Sequence, residues 1–123
     1  MHIPLLIAAF LTAAVGIAHS YLGERYVLIR LFRRNDLPRL FGSDLFTRRT
    51  LRFAWHLTSV AWWGFSALLY LLAAGETDLR SATLGVIAIT FGIHAAVTGG
   101  MSHGRHLAWI PFLAIAVLAW TAR

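Results

Sequence analysis

Four long apolar stretches constrain this chain more than any other feature. Ile3 to Leu22 is a run of twenty residues with no Asp, Glu, Lys or Arg. Phe53 to Ala74, Ala82 to Met101 and Leu107 to Ala122 are equally free of those residues. A helix needs about twenty apolar residues to cross the hydrocarbon core of a bilayer. The runs are continuous rather than alternating, which argues against the strands of a membrane barrel. The expectation is an all-α integral membrane protein, an antiparallel four-helix bundle forming one domain over residues 1–123. Its spans lie near 3–22, 53–74, 82–101 and 107–122, with a basic loop over 23–52. The fourth run is the shortest. It reaches full length if it begins a turn earlier, near His103, with Pro111 in its opening turns or at a kink.

Composition supports lipid over water as the solvent. Charged residues make up 13% of the chain and hydrophobic ones 59%, against about 25% and about 45–50% in soluble domains. A soluble domain this small leaves about a third of its unfolded surface exposed and has nowhere to hide such an excess. The net charge is +6, with eleven arginines and no lysine. Eight of those arginines fall between Arg25 and Arg52, between two apolar runs. That placement fits anionic lipid headgroups rather than nucleic acid. Positive loops stay in the cytoplasm. The 23–52 loop and Arg105 therefore lie inside and both termini outside, as in a bacterial inner membrane. Gly16-Ile17-Ala18 has the small residues of a cleavage site, but no positive charge precedes the first run, so it is read as a retained span.

Local punctuation agrees. Gly75 to Asp78 reads as a polar turn, and Gly99-Gly100 and Ser102 to Gly104 read as breaks. Ser43-Asp44 offers an N-cap, so the second helix begins near Asp44. The first helix can run past Leu22 towards Arg34, with Leu37-Pro38 as its limit.

The chemistry rests on histidine. His19, His56 and His94 each lie roughly 6–8 Å inside the cytoplasmic boundary of a different span, at 1.5 Å per residue. His103 and His106 lie at that boundary beside the fourth. Intramembrane ionisable groups usually face the protein interior, and each histidine sits on a polar or small stripe. These stripes are Thr12, Gly16, His19 and Gly23; then Arg52, His56, Ser59 and Trp63; then Thr90, His94 and Thr98. Convergence of His19, His56, His94 and His106 would make a cofactor site. The first candidate is haem b, held by two neutral imidazoles from different helices, with Arg52 and Arg105 for its propionates. Electron transfer to a redox partner is the simplest consequence. In outline the architecture is similar to four-helix membrane cytochromes of the b type, without a shared motif.

A zinc, copper or iron ion on the same four histidines is the alternative, with or without catalysis. Glu24 could then add a carboxylate or act as a base, although a plain ion pair with Arg25 or Arg52 is the simpler expectation. A third reading makes the chain a structural subunit of a larger membrane complex, docking through Trp62, Trp63, Phe65 and Tyr70. A single histidine can also be no more than helix–helix glue, bonded to Ser, Thr or a carbonyl. The absence of cysteine excludes disulfides and thiolate metal sites. No phosphate-binding loop or nucleophile elbow is present. A through-membrane channel is disfavoured, because the outer half of each span is almost purely apolar.

Overall fold

The computed structural model describes every residue from Met1 to Arg123. It has four helices and no strand: α1 (Ile3–Leu31), α2 (Leu45–Ala74), α3 (Leu79–Ser102) and α4 (Trp109–Thr121). The first three are long and apolar enough to cross a membrane. α4 has 13 residues. It is about 20 Å long at 1.5 Å per residue, short of the about 30 Å hydrocarbon core. It begins at Trp109 rather than near His103, and Pro111 sits in its first turn. Proline is tolerated there because the N–H groups of an opening turn have no helical partner.

Helix ends follow from individual residues. α2 stops at Gly75, whose φ of 72° is left-handed and costs glycine no Cβ strain. Asp78 opens α3 by accepting the Ser81 N–H at 3.1 Å. The break expected at Gly99-Gly100 does not occur. α3 runs through both glycines and ends at Ser102, with His103 at φ 52° and Gly104 at φ 76° making the turn. Gly99 lies against Trp109, where a Cβ would make an ordinary 3.5 Å contact. α1 runs to Leu31 and carries a π-helical segment over Gly23–Leu28. Such segments are uncommon and often mark functional sites.

Neighbouring helices are antiparallel. Ser66 of α2 donates to the Ala9 carbonyl of α1 at 2.7 Å, Trp63 to Ala13 at 3.2 Å and Trp55 to His19 at 3.1 Å. Higher numbers on α2 thus meet lower numbers on α1. Gly64 faces Thr90 across α2 and α3, and Gly85 faces Arg123 across α3 and α4. The N-terminus lies by Ala73, through a 2.9 Å bond from the His2 N–H, so both termini share one end with the Gly75–Asp78 turn. The other end carries the 32–44 loop and the 103–108 turn. Along the row, α1 packs on α2, α2 on α3 and α3 on α4, while α1 touches neither α3 nor α4. The bundle is therefore an open row, in which α2 reaches not α4 itself but the turn before it, where Phe53 and Phe46 meet the His106 ring.

Little of the molecule is internal: 14 of 123 residues are buried, while Phe10 is 72% and Leu118 68% exposed. Apolar surface on this scale is a liability in water and none in lipid. Where helices do touch, the fit is tight. A Cβ on Gly23 would lie 1.9 Å from the Trp55 indole nitrogen and one on Gly16 2.6 Å from that of Trp63. Gly23→Ala is expected to part α1 from α2 and cost about 1–3 kcal/mol by overpacking. Gly92→Ala, where a Cβ would meet nothing within 4 Å, is expected to be neutral or slightly stabilising. Thermal denaturation of both variants in detergent checks this.

Candidate functional site

Two polar sites stand out, one on each side of α2. The first is the seam between α1 and α2. His19 Nδ1 lies 3.1 Å from Ser59 Oγ, Ser20 Oγ donates to Ser59 Oγ at 2.8 Å, and His56 Nδ1 lies 3.0 Å from Ser20 Oγ. His56 Nε2 lies 3.2 Å from Glu24 Oε2. Arg52 closes the series with a 2.9 Å ion pair to Glu24 Oε1. Ser59 is fully buried, so its hydroxyl depends on these partners. The His19 ring stacks on Trp55 at 4.6 Å and 3°, with Trp62 at 4.8 Å. Glu24 sits in the π-helical segment and reaches across to α2. The simpler expectation for Glu24, an ion pair with Arg52, is what this seam contains.

The second site is a groove of about 400 Å³ between α2, α3 and α4. Phe53, Leu57, Ala61 and Phe112 make it largely apolar, and Thr58, His94, Thr98 and His106 supply its polar side chains. His94 Nδ1–H donates to the Thr90 carbonyl at 2.8 Å. That bond fixes the ring and leaves Nε2 free, the arrangement usual for a ligating histidine. Ser102 accepts the His106 backbone N–H at 3.1 Å and donates to the Thr98 carbonyl at 2.6 Å, tying the turn to the end of α3. His106 Nδ1 and Thr98 Oγ1 are buried and have no hydrogen-bond partner. Buried polar atoms are rarely left so.

Beside the groove at the arginine-rich end is a rim pocket of about 330 Å³, lined by Ser43, Phe46, Arg49, His103 and Arg105 among others. Arg49 donates to His103 Nδ1 at 3.0 Å, and Arg105 lies over the Phe41 ring at 5.3 Å. No carboxylate lines this pocket. The loop behind it is held by Arg48, which binds Asp44 at 2.6 Å and donates to the carbonyls of Phe32 and Arg34. No family model, curated protein or solved structure matches the chain.

The four histidines expected to converge form two pairs instead. His19 and His56 meet through serines on the α1–α2 seam, whereas His94 and His106 share the groove. Nowhere do three His, Asp or Glu side chains gather as a metal site. The reason is lateral. The depth of a residue follows from its place in the run, but α1 packs only on α2, so His19 lies too far round the row to approach His94. His56 has both ring nitrogens engaged, and Arg52 is paired with Glu24 rather than facing the groove. Sequence reasoning overlooked Ser20 and Arg49. Arg49 lies on the Phe46, Arg49, Phe53 spacing of one α2 face, which is the signal that could have found it.

The rim loop gives a pH dependence. Arg34 donates two bonds to Asp36 at 2.8 and 2.5 Å and holds its carboxyl at about 2, below the ordinary 3.8. The Asp44 carboxyl is likewise lowered by its hydrogen bond from Arg48. Carboxylates depressed in the folded state stabilise above their unfolded value, and that contribution is lost as pH falls through the folded one. The backbone amide NMR shifts of Asn35, Asp36 and Leu37 are expected to move as pH falls towards about 2, and to lose most of that movement in Asp36→Asn.

Proposed function

We propose that this chain is an integral membrane protein of a bacterial inner membrane that binds haem b in the α2–α3–α4 groove, through His94 and His106. The arginine-rich end faces the cytoplasm in this reading and the termini face out, following the arginine bias. Its headgroup contacts are with anionic lipid.

One observation carries the cofactor reading. In a largely apolar groove, His106 Nδ1, in the turn before α4, is buried without a partner, and His94 of α3 lines the same groove with its Nδ1 fixed. The donor set suits haem iron, which takes two imidazoles from separate elements of a bundle. Phe53 and Phe112 would flank the macrocycle, and Ala54, Ala61 and Ala108 leave room beside them. Arg49 and Arg105 in the rim pocket suit propionates, since guanidinium groups pair with carboxylates in a bidentate fork. A haem with two histidine ligands supplies one-electron transfer. The chain's own part is to hold the rings, exclude water from the groove and neutralise the carboxylates. A bare zinc, copper or iron ion is less well served, because this pair supplies only two of the ligands such an ion takes.

The test is a visible spectrum of the purified protein after haem supplementation. A sharp Soret band that shifts on reduction is expected. His94→Ala and His106→Ala should each abolish it, or lower haem affinity by more than the about 10–100-fold that removal of an outer partner costs. His56→Ala should keep the band. A colourless protein, or bands unchanged in both groove variants, would overturn the reading.

A further inference from the structure

We infer that the α1–α2 seam is a proton relay, which loads His19 inside the helix row from the arginine-rich end. This inference is independent of the haem reading and concerns different residues. Its basis is the unbroken hydrogen-bonded series Glu24, His56, Ser20, Ser59, His19, in which no step exceeds 3.2 Å. Every member can both accept and release a proton, or becomes able to once protonated. A structural clamp needs one or two such bonds. A series of five groups crossing from α1 to α2 and back is the arrangement that carries a proton over a distance.

The two ends differ in the way a relay requires. At the entry, Glu24 and His56 are 32% and 36% exposed, on the side of the arginine-rich end. In the middle, Ser59 is fully buried and has only its relay partners. At the far end, His19 is stacked on Trp55, with Trp62 tilted at 60° beside it. The charged and titratable groups facing His19 are Glu24 on its own helix and His56 and Arg52 on α2, the only helix packed on α1. Arg25 lies instead over the Tyr26 ring at 5.8 Å.

The transfer balances. Glu24 takes a proton from water at the rim and passes it to His56 Nε2. His56 releases the proton on its Nδ1 to Ser20 Oγ. Ser20 gives its own hydroxyl proton to Ser59, and Ser59 gives its hydroxyl proton to His19 Nδ1. One proton has left the water and one has appeared on His19. Glu24 ends as a carboxylate, both serines as neutral hydroxyls, and His56 as the neutral tautomer protonated at Nε2.

Tryptophan emission reads the end point, because a protonated imidazole stacked on an indole quenches it. Among the histidines only His19 stacks with tryptophan. In the full-length protein in detergent, a stopped-flow acid jump is expected to quench emission as the proton reaches His19. His19→Gln should remove that pH-dependent amplitude. Ser20→Ala and Ser59→Ala should keep the amplitude but slow it at least about tenfold, equivalent to about 1.4 kcal/mol of barrier, and Ser59→Thr should restore the rate. If Ser59→Ala does not fold, Ser20→Ala decides alone. An amplitude that survives His19→Gln, or a rate unchanged in the serine variants, would overturn the relay and leave the groove assignment untouched.

Discussion

The meeting of tryptophan with glycine on the α1–α2 seam governs the rest of this structure. Trp55 occupies the space where residue 23 would otherwise carry a side chain, and Trp63 does the same at residue 16. Close approach of the two backbones follows. It brings the α1 carbonyls of Ala9, Ala13 and His19 within reach of donors on α2. In lipid, helix association gains nothing from hiding greasy surface, so packing and interhelical hydrogen bonds have to supply the attraction. α1 has no other helical neighbour. This one seam must therefore hold it, and the polar series from His19 to Arg52 fits only because the glycines let the helices come so near.

The other side of α2 follows a different logic. α3 packs directly on α4, but α2 does not touch α4 and reaches only the turn before it, at His106. A groove results, largely apolar along its lining and closed by His106 on the side of that turn. α2 thus serves as a partition, with histidines on both faces that do not meet. On one face the ring nitrogens are hydrogen-bonded in series, and on the other His106 Nδ1 has no partner.

Much of the fold was legible in the sequence, and the unread part is of one physical kind. Helix existence follows from apolar runs, and the boundary at Gly75 from the conformational freedom of glycine. The stripe of Arg52, His56, Ser59 and Trp63 was read as one face, and all four do face α1. Two features failed for reasons of context. Gly99-Gly100 looks like a break, yet helix–helix packing against Trp109 overrides glycine's weak helix propensity. The fourth apolar run looks long enough to span, yet the turn at His103 and Gly104 and the tether of His106 to Ser102 use up its beginning. Histidine depth could be counted along the chain, but which helices would be neighbours could not. An open row and a closed ring share the same hydropathy pattern, and only the closed ring would gather all four imidazoles.

The π-helical turn at Gly23–Leu28 has a further consequence for how such a chain can vary. A wide turn holds one residue more than the α-helix around it needs. Deleting a single residue there would restore regular winding and leave the residues beyond it on nearly the same bearing, because the wide turn already absorbs the extra one. A deletion in a regular part of α1 would instead swing everything beyond it by about 100° and part Glu24 from its partners on α2. At this one turn the chain can change length without re-aiming the polar rim, which no other stretch of the helix permits.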